Sequence, residues 1–212
     1  MTDIADLRRQ YGRAELKRED LDPSPFVQFR KWMDDAVGQK LVDANAMSLA
    51  TVGAAGEPSI RTVLLKAFDE RGFVFYTNLE STKAKQISEN PNVALLFYWR
   101  EFERQVKIRG RASRLSAVDV AKYFISRPRD SQLAAWSSPQ SRVIEARNAL
   151  ELKFNEMRQK FGAGEIPVPS FWGGFTVAPR TIEFWQGGEH RLHDRFQYSD
   201  AVGGWRIDQL AP

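Results

Sequence analysis

Between residues 46 and 115 the chain breaks into short apolar or alternating segments separated by tight-turn signals, and this punctuation limits the possible folds more than any other feature. The segments are 46–52, 59–68, 73–78, 93–99 and 104–115. Gly53-Ala54-Ala55-Gly56 follows the first and Asp69-Glu70-Arg71-Gly72 follows the second. Strands this short, joined by turns this tight, pair antiparallel in a sheet or barrel. Helical spacing interrupts them at 81–89, 116–127 and 141–161, and precedes them at 26–42 through Phe26, Phe29, Trp32, Met33, Val37 and Leu41. Strand patterns resume at 174–178, 181–186, 193–199 and 204–208. The expected class is α+β, an antiparallel barrel core with peripheral helices. Residues 1–24 are polar and run into Asp22-Pro23-Ser24-Pro25, which reads as an arm followed by a linker.

Composition removes several kinds of chemistry. The 212 residues contain no cysteine, so disulfides, thiol catalysis and cysteine-ligated metals are excluded, and redox chemistry requires a bound cofactor. Two histidines, His190 and His193, cannot supply a three-histidine metal site. The longest apolar run, 93–99, is far too short to cross a bilayer. The opening MTDIADLRRQY mixes acids and bases without an apolar stretch, so no secretory signal is read and the cytoplasm is the expected location. A net charge of +4 suits anionic ligands, but the basic residues are spread along the chain, and no nucleic-acid partner is expected. Neither a Walker loop nor G-x-G-x-x-G is present, so phosphate must be held by other means.

Four segments carry candidate chemistry. In Arg61-Thr62-Val63-Leu64-Leu65-Lys66 two cations bracket an apolar strand. Regular alternation sends Arg61 and Lys66 to opposite faces, so one ligand meets both only at a strand end, a bulge or a subunit boundary. A core strand with solvated ends explains the same pattern. In Tyr76-Thr77-Asn78 and the following Ser81-Thr82-Lys83, a strand leads into a helix that Ser81 can cap, and a helix N-terminus beside Lys83 is a sensible phosphate seat. Tyr123 and Arg127 share a helix face that starts at Ser116 and Asp119; Pro128 ends this helix and leaves Ser131 on a loop. Phenol, guanidinium and hydroxyl together can hold a phosphate, although a cationic helix C-terminus accounts equally for Arg127. In Trp185-Gln186-Gly187-Gly188-Glu189-His190-Arg191-Leu192-His193-Asp194-Arg195, a Gly-Gly turn leads to a strand on which Arg191, His193 and Arg195 alternate onto one face. Three such groups on one face call for an anion among them.

The pieces RTVLLK, FYTN, ERQVKIRG, YFISRPRDSQ, PSFWGG and EFWQGGEHRLHDR, in this order, resemble the pyridoxine 5′-phosphate oxidase family over nearly the whole chain. The resemblance implies an FMN-binding split β-barrel that works as a homodimer with FMN at the subunit interface. An interface would also let one ligand meet both Arg61 and Lys66. The implied organisation is an arm over 1–25 that covers the active site, a core over 26–165, and C-terminal strands over 166–212 that complete the barrel and dimer. FMN would be bound by Arg61, Thr62, Val63, Leu64, Leu65, Lys66, Tyr76, Thr77, Thr82, Lys83 and Gln105, with Gln140, Ser141, Trp185 and Arg195 completing the site, partly from the other subunit. Lys66, Tyr123, Arg127 and Ser131 would hold the substrate phosphate. Arg191 and His193 would lie over the pyridine ring as the catalytic pair beside Leu192, while Arg8, Arg9 and Tyr11 belong to the arm. The implied reaction oxidises phosphorylated B6 vitamers with dioxygen. At Thr82 the family usually has arginine. Another split-barrel flavin reductase, or a non-catalytic carrier of FMN or pyridoxal phosphate, remains an alternative; the substrate-side residues favour the oxidase.

Overall fold

The structure is a computed structural model that describes residues 3–7, 10–144 and 146–212. Arg8 and Arg9 lie outside the described residues. In chain order the elements are α1 (Pro25–Gly38), β1 (Ala46–Val52), β2 (Pro58–Leu64), β3 (Ala67–Asp69), β4 (Gly72–Asn78), α2 (Thr82–Glu89), β5 (Asn92–Trp99), β6 (Arg104–Arg114), α3 (Ala117–Ser126), α4 (Arg129–Ser137), α5 (Arg147–Phe161), β7 (Trp172–Gln186), β8 (Asp194–Ala201) and β9 (Gly204–Gln209). Every strand pairing is antiparallel.

The sheet runs β2-β1-β5-β6-β7-β4-β3, with β8 and β9 branching from β7. β7 makes the branch possible. Its first half pairs with β4 through Trp172–Val177, its second half pairs with β8 through Thr181–Gln186, and β6 follows its other edge. The sheet therefore splits along one long strand. Where the sequence pattern suggests two strands, at 174–178 and 181–186, the structure has one. Pro179 lacks an N–H, and it sits opposite Gly110 at a register shift, where the ladder is interrupted in any case.

The core lies inside the curled sheet, closed by α1. Ser24 caps α1, accepting from the Val27 N–H, and Pro25 occupies its first turn. The apolar stripe Phe26, Phe29, Trp32, Met33 and Ala36 is buried; Phe29 meets Phe68, Phe73 and Phe97 edge-on, and Trp32 meets Phe184. A second cluster joins Val120 and Phe124 of α3, Leu133 of α4 and Met157 of α5 to Trp172.

Three local expectations are corrected. The second strand ends at Leu64, and Leu65-Lys66 breaks away before β3. Ser131 lies in α4, not on a loop, because Pro128 ends α3 and at once starts a new helix. Residues 141–144 and 146 are not helical; α5 begins at Arg147. Among the described residues no helix is long and apolar enough to cross a membrane.

Candidate active site

A cleft of about 620 Å³ opens where β2 ends, between β4, the start of α2 and the α3–α4 junction. It gathers Arg61, Thr62, Val63, Leu64 and Lys66 from β2 and the segment after it, Tyr76 and Thr77 from β4, Lys83 from α2, Tyr123 and Arg127 from α3 and its end, Ser131 from α4, and Gln140 beyond α4. Arg61 and Lys66 share this cleft within one subunit because the chain leaves regular strand geometry after Leu64; a strand end, not an interface, resolves their opposed parity. Leu65 instead turns into the core, its N–H donating to Asn45 O and its carbonyl accepting from Asn45 Nδ2.

The cleft is rich in donors and short of acceptors. Arg61 is steadied by bonds from Nη1 to Thr51 Oγ1 (2.6 Å) and Leu49 O (3.1 Å), and Thr51 in turn donates to Gln86 Oε1. Burial lowers the pKa of Arg61. Lys83 is buried at the first turn of α2 and donates to Gln140 Oε1 (2.9 Å), Thr77 Oγ1 (3.2 Å) and Ser81 Oγ (3.4 Å). Burial first, and then the Arg61 charge, depress Lys83 to about 8. Ser81 occupies the N-cap position without the expected side-chain cap; its hydroxyl donates back to Asn78 O, so the first N–H groups of α2 stay available.

At the far wall three rings form a ladder. Tyr76 and Tyr123 stack at 3.9 Å and Tyr76 and Trp172 at 5.3 Å, with planes within 14° and 5° of parallel. Burial, followed by the Tyr123 and Asp119 charges, raises the Tyr76 phenol. Arg127 lies over the Trp172 ring at 4.9 Å, and burial lowers its pKa. Its Nη1 is the one buried side-chain nitrogen or oxygen without a hydrogen-bond partner among the described residues. A buried orphan guanidinium N–H beside two tyrosines and Ser131 fits a phosphate, and the Arg61–Lys83 pair on the opposite side fits a second. This donor set suits a phosphorylated cofactor lying beside a phosphorylated substrate.

The remaining expected residues gather elsewhere. Gln105 pairs with Trp185, and Trp185 with Arg195, across β6, β7 and β8. Arg191, His193 and Arg195 do not alternate along a strand. Glu189–Arg191 forms a 3-10 turn in which His190 and Arg191 have φ of 54° and 65°, and β8 starts only at Asp194. The turn leaves Arg191 exposed and folds His193 back, so that its Nδ1 accepts from the Gly188 N–H at 3.2 Å. His193 lies 4.7 Å from Trp185, and Tyr11 of the arm meets both rings edge-on at 5.5 and 5.7 Å. Arg195 is held by Glu183, through Nε at 3.0 Å, and by Ala211 O. Thr82, Ser141 and Leu192 are exposed, and Thr82 and Ser141 do not line the cleft.

Sequence reasoning did not single out Asn78, Ser138 or Trp172 as cleft residues. Trp172 stands in the PSFWGG piece, and only the pairing of β4 with β7 carries it beside Tyr76. Thr51 and Gln86, which steady Arg61, come from elements with no local signal of that contact.

Comparison with known proteins gives one consistent answer. The family model described as pyridoxamine 5′-phosphate oxidase matches residues 33–161, and that of the pyridoxine 5′-phosphate oxidase C-terminal dimerisation region matches 172–212. The pyridoxine/pyridoxamine 5′-phosphate oxidase of Shewanella denitrificans is 58% identical over 212 residues, covering 100% of both chains. The protein of that name from Klebsiella pneumoniae is 57% identical, over 99% of this chain and 96% of its own. Among solved structures, PhzG from Burkholderia lata, in complex with tetrahydrophenazine-1-carboxylic acid, superposes with a TM-score of 0.88 at 27% identity, covering 95% of this chain and 100% of that one. A pyridoxamine 5′-phosphate oxidase-related, FMN-binding protein from Nostoc punctiforme shares the fold, with a TM-score of 0.72 at 18% identity over 91% of this chain and 100% of its own. The chain belongs to the pyridoxine/pyridoxamine 5′-phosphate oxidase family.

Proposed function

We propose that this protein is a cytoplasmic, homodimeric, FMN-dependent oxidase that converts pyridoxine 5′-phosphate or pyridoxamine 5′-phosphate into pyridoxal 5′-phosphate. The observation that carries the reading is one cleft lined by four cations, Arg61, Lys66, Lys83 and Arg127, enough charge for two phosphates. The substrate alcohol loses two electrons and two protons to become the aldehyde; the amine becomes an imine that water hydrolyses to aldehyde and ammonia. Dioxygen takes up the electrons and protons as hydrogen peroxide. FMN, when bound, supplies the two-electron redox chemistry that links substrate to dioxygen.

The protein's own contribution is binding and orientation. Lys83, Thr77, Gln140 and Arg61 hold the cofactor phosphate, and Thr62–Leu64 with Tyr76 line its path. Lys66, Tyr123, Arg127 and Ser131 hold the substrate phosphate. Arg191 and His193 address the substrate ring. Because His193 Nδ1 accepts from a backbone N–H, the neutral ring carries its proton on Nε2. The group it offers a substrate oxygen is therefore a donor.

The dimer follows from reach. Trp172 beside Arg127 and Trp185 beside His193 are thirteen positions apart on β7. At about 3.3 Å per residue that is roughly 40 Å of strand. One vitamer cannot bridge it, so the His193 end that serves a given cleft comes from the partner subunit. The division into an arm over 1–25, a core over 26–165 and closing strands over 166–212 is part of the same proposal.

The test is the visible spectrum. The purified protein is expected to be yellow, to bleach when pyridoxine 5′-phosphate is added without oxygen, and to recover with peroxide release in air. A colourless protein that takes up no FMN overturns the proposal. A yellow protein that never bleaches points to the carrier, and one bleached only by other donors points to a reductase.

A further inference from the structure

We propose that Glu103 is a positioning residue that latches the N-terminal arm onto the Trp185–His193 wall and thereby sets how well substrate is retained; its kinetic consequence rests on the function proposed above. Glu103 lies between β5 and β6, buried to 4% exposure, with a left-handed backbone (φ 55°). L residues rarely adopt that conformation, and here it turns the carboxylate towards the arm. Oε2 accepts from two successive backbone N–H groups, Gly12 at 3.0 Å and Arg13 at 3.1 Å. The same residue's carbonyl accepts from the Gly187 N–H at 2.8 Å. One residue therefore grips both the arm and the turn on which the arm rests.

The surroundings are shaped for this docking. Tyr11, immediately before the gripped pair, packs on Trp185 and His193. It also lies against Gly187, where a Cβ would come within 2.7 Å of the Tyr11 ring, so only glycine admits it. Five residues after Tyr11, the Leu16 N–H donates to Asp194 Oδ2 at 2.9 Å, and Leu16 is buried. The arm thus has two attachment points. Loss of the Asp194 contact would free it at its root, whereas loss of the Glu103 contact frees only the part from Arg13 outward, which includes Tyr11. Charge-assisted bonds to main-chain donors are the strong kind, and among the described residues the other polar contacts of the arm from Tyr11 to Arg13 are those of the Arg13 guanidinium, with Glu101 O and over the Phe102 ring.

The test is Glu103→Gln in the full-length, FMN-loaded protein, compared with Tyr11→Ala and the double variant. The amide keeps an acceptor oxygen and loses the charge. KM for pyridoxine 5′-phosphate is expected to rise about 3- to 10-fold, with kcat within about twofold and FMN affinity unchanged. Trypsin cleavage after Arg13 is expected to quicken on the order of 5- to 20-fold. The double variant should show little increase in KM beyond that of Tyr11→Ala, because both changes undo the same docking. Unchanged KM and cleavage overturn the latch. Additive KM effects, or FMN loss in step with the KM change, also overturn it, because they place the action of Glu103 at the Gly187 turn. If Glu103→Gln fails to fold, Glu103→Asp, with the charge one methylene shorter, is read by the same criteria. If the wild type oxidises no pyridoxine 5′-phosphate, the proposed function falls, and cleavage at Arg13 alone decides the latch.

Discussion

Arg127 rests its guanidinium 4.9 Å from the centre of the Trp172 ring while its buried Nη1 has no hydrogen-bond partner among the described residues. The first contact stabilises the ligand-free protein by about 0.5–1 kcal/mol, and the second costs about 1–3 kcal/mol. The cost wins, so Arg127 weakens the ligand-free protein, which suits the phosphate-binding role proposed for it. Arg127→Met, which keeps most of the volume, is expected to leave the melting temperature of the FMN-free protein unchanged or raised. It should also lower kcat/KM for pyridoxine 5′-phosphate by roughly 10- to 100-fold. Calorimetry and steady-state kinetics on the same preparation check both halves; a clear drop in melting temperature contradicts the assignment.

Lys83, in its proposed role at the cofactor phosphate, is expected to make FMN binding depend on pH. With its pKa depressed from 10.5 to about 8, the ligand-free folded protein binds fewer protons than the unfolded chain between those values. Its destabilising effect is therefore present in full below about pH 8 and is relieved as pH rises towards 10.5. A phosphate beside Lys83 restores the charged form, so binding takes up a proton. FMN affinity is expected to fall above pH 8 by up to about tenfold per unit. Flavin fluorescence quenching at pH 7, 8 and 9 measures the slope, and Lys83→Met should flatten it.

Arg191 and Arg195 are expected to separate cleanly. Arg191 is exposed on its 3-10 turn, and its side chain makes no hydrogen bond or ion pair among the described residues, so Arg191→Ala should keep FMN and lose about one to two decades of kcat/KM. Arg195 is tied to buried Glu183, which also pairs with Lys107. Arg195→Ala should weaken FMN binding and cost about 1–3 kcal/mol of stability. Flavin content and melting temperature of the two variants decide the matter, and the reverse pattern would exchange the two roles.

Thr82 stands exposed at the first turn of α2, next to buried Lys83. An arginine there has the reach and charge to add a contact to the cofactor phosphate, which threonine lacks. Thr82→Arg is expected to tighten FMN binding by roughly 2- to 30-fold, with turnover at saturating FMN unchanged. Titration of the FMN-free protein at two salt concentrations checks this, and unchanged affinity would mean that the seat is already complete.

The legible parts of the fold were those set by local pattern. β1, β4, β5 and α2 stand within a residue or so of their expected ranges because alternation, turns and apolar spacing agree there. α4 escaped because Leu133 and Trp136 make too thin an apolar stripe to stand out, and Pro128 reads as an end when it is also a beginning. The Arg191–Arg195 segment misled because alternation on paper resembles a strand, whereas left-handed residues at 190 and 191 fold it into a turn. Within the site, motif pieces pointed to nearly every residue around the cleft. The residues that hold those in place, Thr51, Gln86 and Glu103, act through contacts 10 to 91 positions away and leave no trace in local sequence.

With Trp172 at one end of β7 and Trp185 at the other, the proposed shared site implies that a lesion at either end of one subunit spoils a different half of two different sites. Co-expressed chains carrying Arg127→Met and Arg191→Ala should therefore complement one another. In each mixed dimer one catalytic centre receives both lesions and the other receives neither, so random pairing of two nearly inactive alleles should restore about a quarter of wild-type activity.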